Sequence, residues 1–206
     1  MATVDDFYRT GVDSDNVVGG PARIMIVKRA DLTYPVDISD VIDLTTYQPV
    51  GLWQDAGLTQ EAFAMTNSFE TTDWPSQQLG VINIQVGDWT RNVSTSFMET
   101  LGDKIMEFVH ERVSSEVTPG DADTVDYFGD VTDVTEWRVA ALYLNKNKAG
   151  GENIIMDVFP RVKRGGDEAS VEWSRTDAQI HTTSWRPLPE PEAPHQASWY
   201  RITQIA

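Results

Sequence analysis

The sequence predicts a mainly β protein, an antiparallel β-sandwich or barrel with one flanking α-helix. Three observations predict it. Short runs of β-branched and aromatic residues recur along the 206 residues with turn glycines between them, the pattern of antiparallel strands rather than of βαβ units. A single stretch, residues 101–112, keeps the apolar spacing of a helix behind a capping residue. The chain is 40% apolar and 10% aromatic, enough to close a core, which excludes global disorder.

Residues 1–19 hold Asp5, Asp6, Asp13 and Asp15 without periodicity and read as an N-terminal arm. The sandwich domain is predicted over 20–186. It opens on residues 22–29, an apolar run with basic ends that reads as a buried strand. Residues 30–52 interrupt short apolar pieces with Pro35, Pro49 and scattered aspartates. That is longer than a compact domain needs, and the segment is expected to make contacts outside the subunit. Deleting 33–49 is then expected to leave a folded β protein.

Residues 51–59 set turn glycines around Trp53, and Phe63, Met65 and Phe69 fall largely on one face of the strand that follows. Ile82, Ile84 and Val86 alternate with polar residues, Gly87-Asp88 reads as a tight turn, and Trp89, Val93, Thr95 and Phe97 share a face of the return strand, giving a hairpin. In the helix, Thr100 is the cap with Asp103 three residues on, and Leu101, Ile105, Phe108 and Val109 form an apolar stripe assigned to the core. Residues 114–135 read as an acidic loop. Three β-rich runs follow at 137–145, 153–163 and 170–185, separated by Gly-Gly turns. The proline-rich residues 187–206 are predicted as a stiff C-terminal arm whose last part, 198–202, is able to add as a strand.

Sixteen Lys+Arg against 32 Asp+Glu give a net charge of -16. That argues against a general nucleic-acid binder, which needs basic surplus to neutralise phosphate, but suits a surface that nucleic acid must slide past. With no cysteine, disulfides, thiolate catalysis, zinc–thiolate sites and iron–sulfur clusters are excluded. His110, His181 and His195 lack ligand spacing, and no nucleophile elbow, Walker loop or dinucleotide fingerprint occurs. The acidic loop fails as an EF-hand: counted from Asp121, Val125 stands at position five, Asp126 at the glycine and Thr132 at the bidentate Glu. The seven tryptophans are assigned to the core rather than to a sugar platform. The expectation is a non-enzyme without metal or cofactor. No window approaches the roughly 20 apolar residues of a spanning helix, and the polar first twenty residues resemble no export signal, so a soluble protein made in a cytoplasm is expected. Asn92-Val93-Ser94 is then a chance sequon.

Several stretches, in order, carry a family likeness. Residues 20–28 look like a first strand after an arm. Gly51-Leu52-Trp53-Gln54-Asp55-Ala56-Gly57-Leu58-Thr59-Gln60-Glu61 leads to the next strand, and Asn67-Ser68-Phe69-Glu70-Thr71-Thr72-Asp73 is followed by Ser76-Gln77-Gln78. Val93-Ser94-Thr95-Ser96-Phe97-Met98-Glu99-Thr100 leads to the one helix, and 137–143 with Met156-Asp157-Val158-Phe159-Pro160-Arg161-Val162 forms a late strand pair. Over residues 20–185 this order resembles the major tail tube proteins of long-tailed, siphovirus-type bacteriophages, most closely those of actinobacterial phages. The chain departs from many of them in lacking an appended immunoglobulin-like domain and in its proline-rich tail.

The resemblance implies a structural virion protein, assembled in the host cytoplasm, whose hexameric rings stack into the hollow tail tube through which DNA is ejected. The inner sheets of six subunits would join into one lumen barrel, with 30–52 and both termini bridging rings. Implied partners are further copies of the chain, a tape measure protein in the lumen during assembly, tail terminator and baseplate or tip proteins, and double-stranded DNA in passage, with no membrane. An acidic lumen would repel phosphate. Glu61, Glu70, Asp157 and Glu172 are its candidates, each on or beside a strand whose other face is apolar. Alternatives are a single-ring tail terminator or head–tail adaptor, a carbohydrate-binding β-sandwich adhesin, and a small β enzyme.

Overall fold

β-Branched and apolar runs in the middle of the chain form the buried strands of an antiparallel sheet. They are seen in a computed structural model that describes residues 22–57, 59, 63–76, 80–98, 103–117, 124–128, 134–145, 153–165, 170–172 and 180–204. The elements are β1 (Arg23–Lys28), β2 (Gln54–Asp55), β3 (Ala64–Ser76), β4 (Gly80–Phe97), α1 (Asp103–His110), β5 (Arg112–Val117), β6 (Thr124–Phe128), β7 (Trp137–Asn145), β8 (Asn153–Arg164), β9 (Ser170–Glu172), β10 (Ile180–Pro187) and β11 (Tyr200–Thr203). Nine strands join one sheet along the path β2-β1-β7-β8-β10-β4-β3, with β11 on β8 and β9 on β10, while β5 and β6 pair separately. The protein is mainly antiparallel β with one flanking helix.

β1, β7 and β8 are buried on both faces, which is why they read as near-continuous apolar runs. On one face Ile24, Ile26, Trp137, Val139 and Phe159 meet Phe108 and Val109 of α1 and Val93, Phe97 and Trp185. On the other, Met25, Val27, Ala140, Leu142, Met156 and Val158 are covered by Ile38, Val41, Ile42 and Trp53. Asp55 pairs with Met25, and shortly after it Thr59 bridges Phe97.

Several expectations are corrected. The 30–52 connection folds onto its own sheet. Asp37 caps a short 3-10 turn, Ile38–Asp40, Ile42 bridges Pro49, and Val41 is fully buried. Deleting 33–49 therefore strips Ile38, Val41 and Ile42 off the core, and the expected result is loss of a cooperative thermal transition by circular dichroism; a deletion variant that melts like the parent overturns this. The helix ends at His110, not 112, because Glu111 takes a left-handed φ of 51° and the chain turns at once into β5. The acidic loop contains the β5–β6 hairpin. Gly87-Asp88 is not a turn: β4 runs straight through it, and the register against β3 shifts there between Phe69 and Thr71, a β-bulge. A Cβ on Gly87 would lie 3.4 Å from both Cβ and the carbonyl oxygen of Glu70, an ordinary van der Waals contact. The 170–185 run is two strands, β9 and β10, paired with each other.

The strand expected at 198–202 forms as β11, and it adds to the subunit's own sheet, so that 187–204 are held to it. Pro187 still belongs to β10, opposite Val162. The chain then returns so that β11 pairs with β8 from Val158 to Ile155, and the Tyr200 hydroxyl donates to the Pro35 carbonyl. Among the described residues no helix is long and apolar enough to cross a membrane.

Candidate functional site

Only the base of the β3–β4 hairpin belongs to the sheet proper. β10 pairs with β4 from Val93 to Phe97. From Gly80 to Asn92, β4 has β3 as its one strand partner among the described residues, and β3 ends the sheet path. The result is a two-stranded ribbon about 40 Å long at the usual rise of a strand. Along it Phe69 and Trp89 face each other with ring centroids 6.0 Å apart, yet are 55% and 59% exposed. An isolated two-stranded ribbon is marginal in water, and here it carries a pair of exposed aromatic rings.

The root of the ribbon is tied down. Arg91 donates from Nε to Asn67 Oδ1 at 2.7 Å and from Nη1 to Ser198 Oγ at 2.9 Å, and lies over the Trp199 ring at 5.5 Å. Met65 and Phe63 pack against the core there.

The predicted acids separate. Glu70 is exposed and stands at the bulge of the ribbon. Glu172 lies in β9 in register with Ile180. Glu61 lies outside the described residues. Asp157 is corrected: it is 6% exposed, and its carboxylate oxygens accept from Arg201 Nε at 2.7 Å and Nη2 at 2.8 Å. This two-point pair clasps β11 to β8, because β11 covers the edge that sequence alternation left open. Of the helix stripe, Phe108 and Val109 are fully buried. Leu101, and the side chain of Ile105, lie outside what the structure describes.

Two buried polar groups escape the sequence reading. Glu190 is fully buried and accepts from Arg29 Nε at 2.7 Å, Arg29 Nη2 at 2.9 Å and Arg138 Nη1 at 3.1 Å. Arg138 also donates to the carbonyls of Leu32 and Pro160, and Arg29 to Glu136. The hydrogen bonds from Arg29 hold the Glu190 carboxyl down at about 2 against the opposing effect of burial. Nothing in local spacing marks a glutamate paired across 161 residues.

The other is a pair of imidazoles between α1 and β10: His110 Nε2 faces His181 Nδ1 at 2.5 Å. Burial lowers both pKa values, and in His110, where His181 and Arg164 add to it, the value falls to about 4. Two neutral rings in this geometry share one proton, one ring donating and the other accepting. No group of three metal-ligating residues forms among the described residues. Unfolded histidine takes up its proton near 6.5, so the pair's contribution is present above that pH and is lost as pH falls toward 4. Glu111, whose carboxyl burial raises, works in the opposite sense. The expected result is therefore that His110→Gln flattens the fall in melting temperature between pH 6.5 and 4.5. A parallel profile overturns it.

No protein-family model matches the chain, and no curated protein matches it in sequence.

Proposed function

We propose that the chain is a structural virion protein that self-assembles into stacked hexameric rings and so forms the hollow tail tube of a long-tailed bacteriophage, through which genomic DNA leaves. The observation that carries this reading is the β3–β4 ribbon, with open strand edges and the exposed Phe69–Trp89 pair. Open edges are templates for further strands, and contact between different patches of identical copies closes into rings. The likeness of residues 20–185 to tail tube proteins supports the same reading. So does the excess of 16 acidic charges, since a wall that neutralises no phosphate lets DNA pass. On this reading the partners are further copies of the chain, a tape measure protein in the lumen, and terminator and tip proteins at the ends. The chain carries no catalytic role.

Electron microscopy of the purified protein tests it. Filaments with a central bore are expected. Isolated rings would indicate a terminator or adaptor instead, and monomers that bind glycans an adhesin. The paired change Phe69→Ser with Trp89→Ser is expected to abolish filaments while leaving the melting temperature of the subunit nearly unchanged, because both rings are already in solvent. Filaments of normal length from that variant would rule out the ribbon as the contact.

A further inference from the structure

Where β10, β4 and the root of β3 run side by side, the two faces of the sheet differ in kind. Val93, Thr95 and Phe97 on β4 and Thr183 and Trp185 on β10 are buried toward the core. The alternate positions form the other face: Thr66 and Ser68 on β3, Thr90, Asn92 and Ser94 on β4, and Thr182 on β10. Register sets Ser68 opposite Thr90 and Thr66 opposite Asn92. Thr182 stands opposite Ser96, their hydroxyls 2.9 Å apart. Thr66 and Ser68 are exposed, the other four of the six are half-buried, and at the ends of this face Ser96 and the hydroxyl of Ser184 are buried.

Across these positions there is no acid, no base and no large apolar group, in a chain with 32 acids and seven tryptophans. Arg91 belongs to the opposite face, over Trp199. Arg186, exposed, is the next residue on the hydroxyl side of β10: it follows Trp185, the last to pair with β4, and stands opposite Lys163 of β8, so it bounds the six positions on that side.

Such a face gains little by being covered. The core of a protein interface is apolar and aromatic, and burying hydroxyls without matched partners costs free energy. Without Lys or Arg it releases no counterions from a phosphate backbone. Chemically it is a surface that keeps its water and holds no polyanion.

We infer that this hydroxyl face is the wall of the bore, along which double-stranded DNA moves over a layer of retained water. The inference rests on the tube reading and deepens it. Among the described residues the six positions are neutral, with Glu70 at the bulge, Glu172 in β9 and Arg186 of β10 standing beyond them.

The absence of cysteine makes a clean test, since Thr66→Cys and Ser68→Cys each add a single thiol at an exposed position. Each full-length variant is labelled before and after assembly with a small maleimide and with a maleimide carried on a polymer wider than the bore. Free subunits are expected to react with both reagents, and tubes are expected to keep the small label and lose the bulky one. Tubes that take the bulky reagent as readily as free subunits overturn the wall assignment while leaving the tube reading intact, because the face is then outside. Tubes that take neither reagent also overturn it, because the face is then buried between copies. Failure of both variants to assemble where the parent does counts against it too, since a wall position tolerates a thiol in place of a hydroxyl. If the parent forms no tubes, the tube reading falls and this inference with it.

Discussion

Replacing Phe108 with alanine is expected to destabilise the subunit by about 3–5 kcal/mol, read as a shift in the denaturant midpoint at unchanged slope. The ring is fully buried. It stacks on Trp185 at 4.4 Å, meets Trp137 edge-on at 5.1 Å and Phe97 at 6.3 Å. Those neighbours come from three strands, β10, β7 and β4, whose backbones are held by ladder hydrogen bonds, so the space left behind is poorly placed to collapse. A cavity among rigid rings costs its full transfer and packing loss. Glu107→Ala is the comparator. Its place opposite the apolar stripe marks it as neutral from sequence, but the structure pairs it with Lys28. The loss there is that of a partly exposed ion pair, about 0–1 kcal/mol. Equal losses for the two variants would show that α1 does not anchor the core through Phe108.

Glu190→Gln is expected to cost a similar amount, about 3–5 kcal/mol, because it leaves a buried cation without its counter-charge. The Arg138 side chain is 4% exposed and that of Glu190 is not exposed at all, so water cannot replace the missing carboxylate. Arg29, more open, donates to both carboxylate oxygens, and the glutamine amide leaves it an oxygen for one of those two hydrogen bonds and an NH2 in place of the other. Adding Arg138→Met to Glu190→Gln is expected to restore part of the loss by removing the stranded charge. Greater instability in the double variant than in the single one would overturn the account. The carboxyl of Glu190 titrates well below the 4.5 of an unfolded glutamate. Its contribution is therefore fully present above that pH and is lost as pH falls from there to about 2.

The strands of the central sheet were legible because they are covered on both sides. β7 is apolar except at Arg138 and Asn145, and β8 from Ile154 to Pro160 except at Asp157, and no other element fits such runs once flanking glycines limit their length. The β4 strand was not legible as one element for a physical reason. Its apolar residues change phase at Gly87-Asp88, from even positions to odd ones. Such a change looks like a turn between two strands, but a bulge produces it too: the shifted register brings Val86 opposite Thr71 and Trp89 opposite Phe69. Phe69 and Trp89 do share a face, but the assignment of every tryptophan to the core fails at Trp89, which is 59% exposed, because periodicity says nothing about what covers a column. The proline-rich tail was read as a spacer because proline discourages strands and helices alike. Its return to β8 depends on Glu190 and Arg201, whose partners are remote in sequence. The hydroxyl face was invisible for the opposite reason, since serine and threonine at alternate strand positions are ordinary until three strands align them.

The unequal reach of the pairings has a consequence for the order in which structure appears. The β3–β4 ribbon joins sequence neighbours, so closing it costs little chain entropy. β1 must wait for β7, whose Trp137 pairs with Lys28, and Arg29 must wait for Glu190, 161 residues on. Contacts of such long range form late and slowly. The ribbon is thus among the earliest structures the chain can make, and the two-sided sheet among the last. A newly made subunit displays its stickiest edges before it owns a closed core. If the chain assembles as proposed, its encounters with other copies run in a race against its own folding, a race whose outcome depends on how many copies are present.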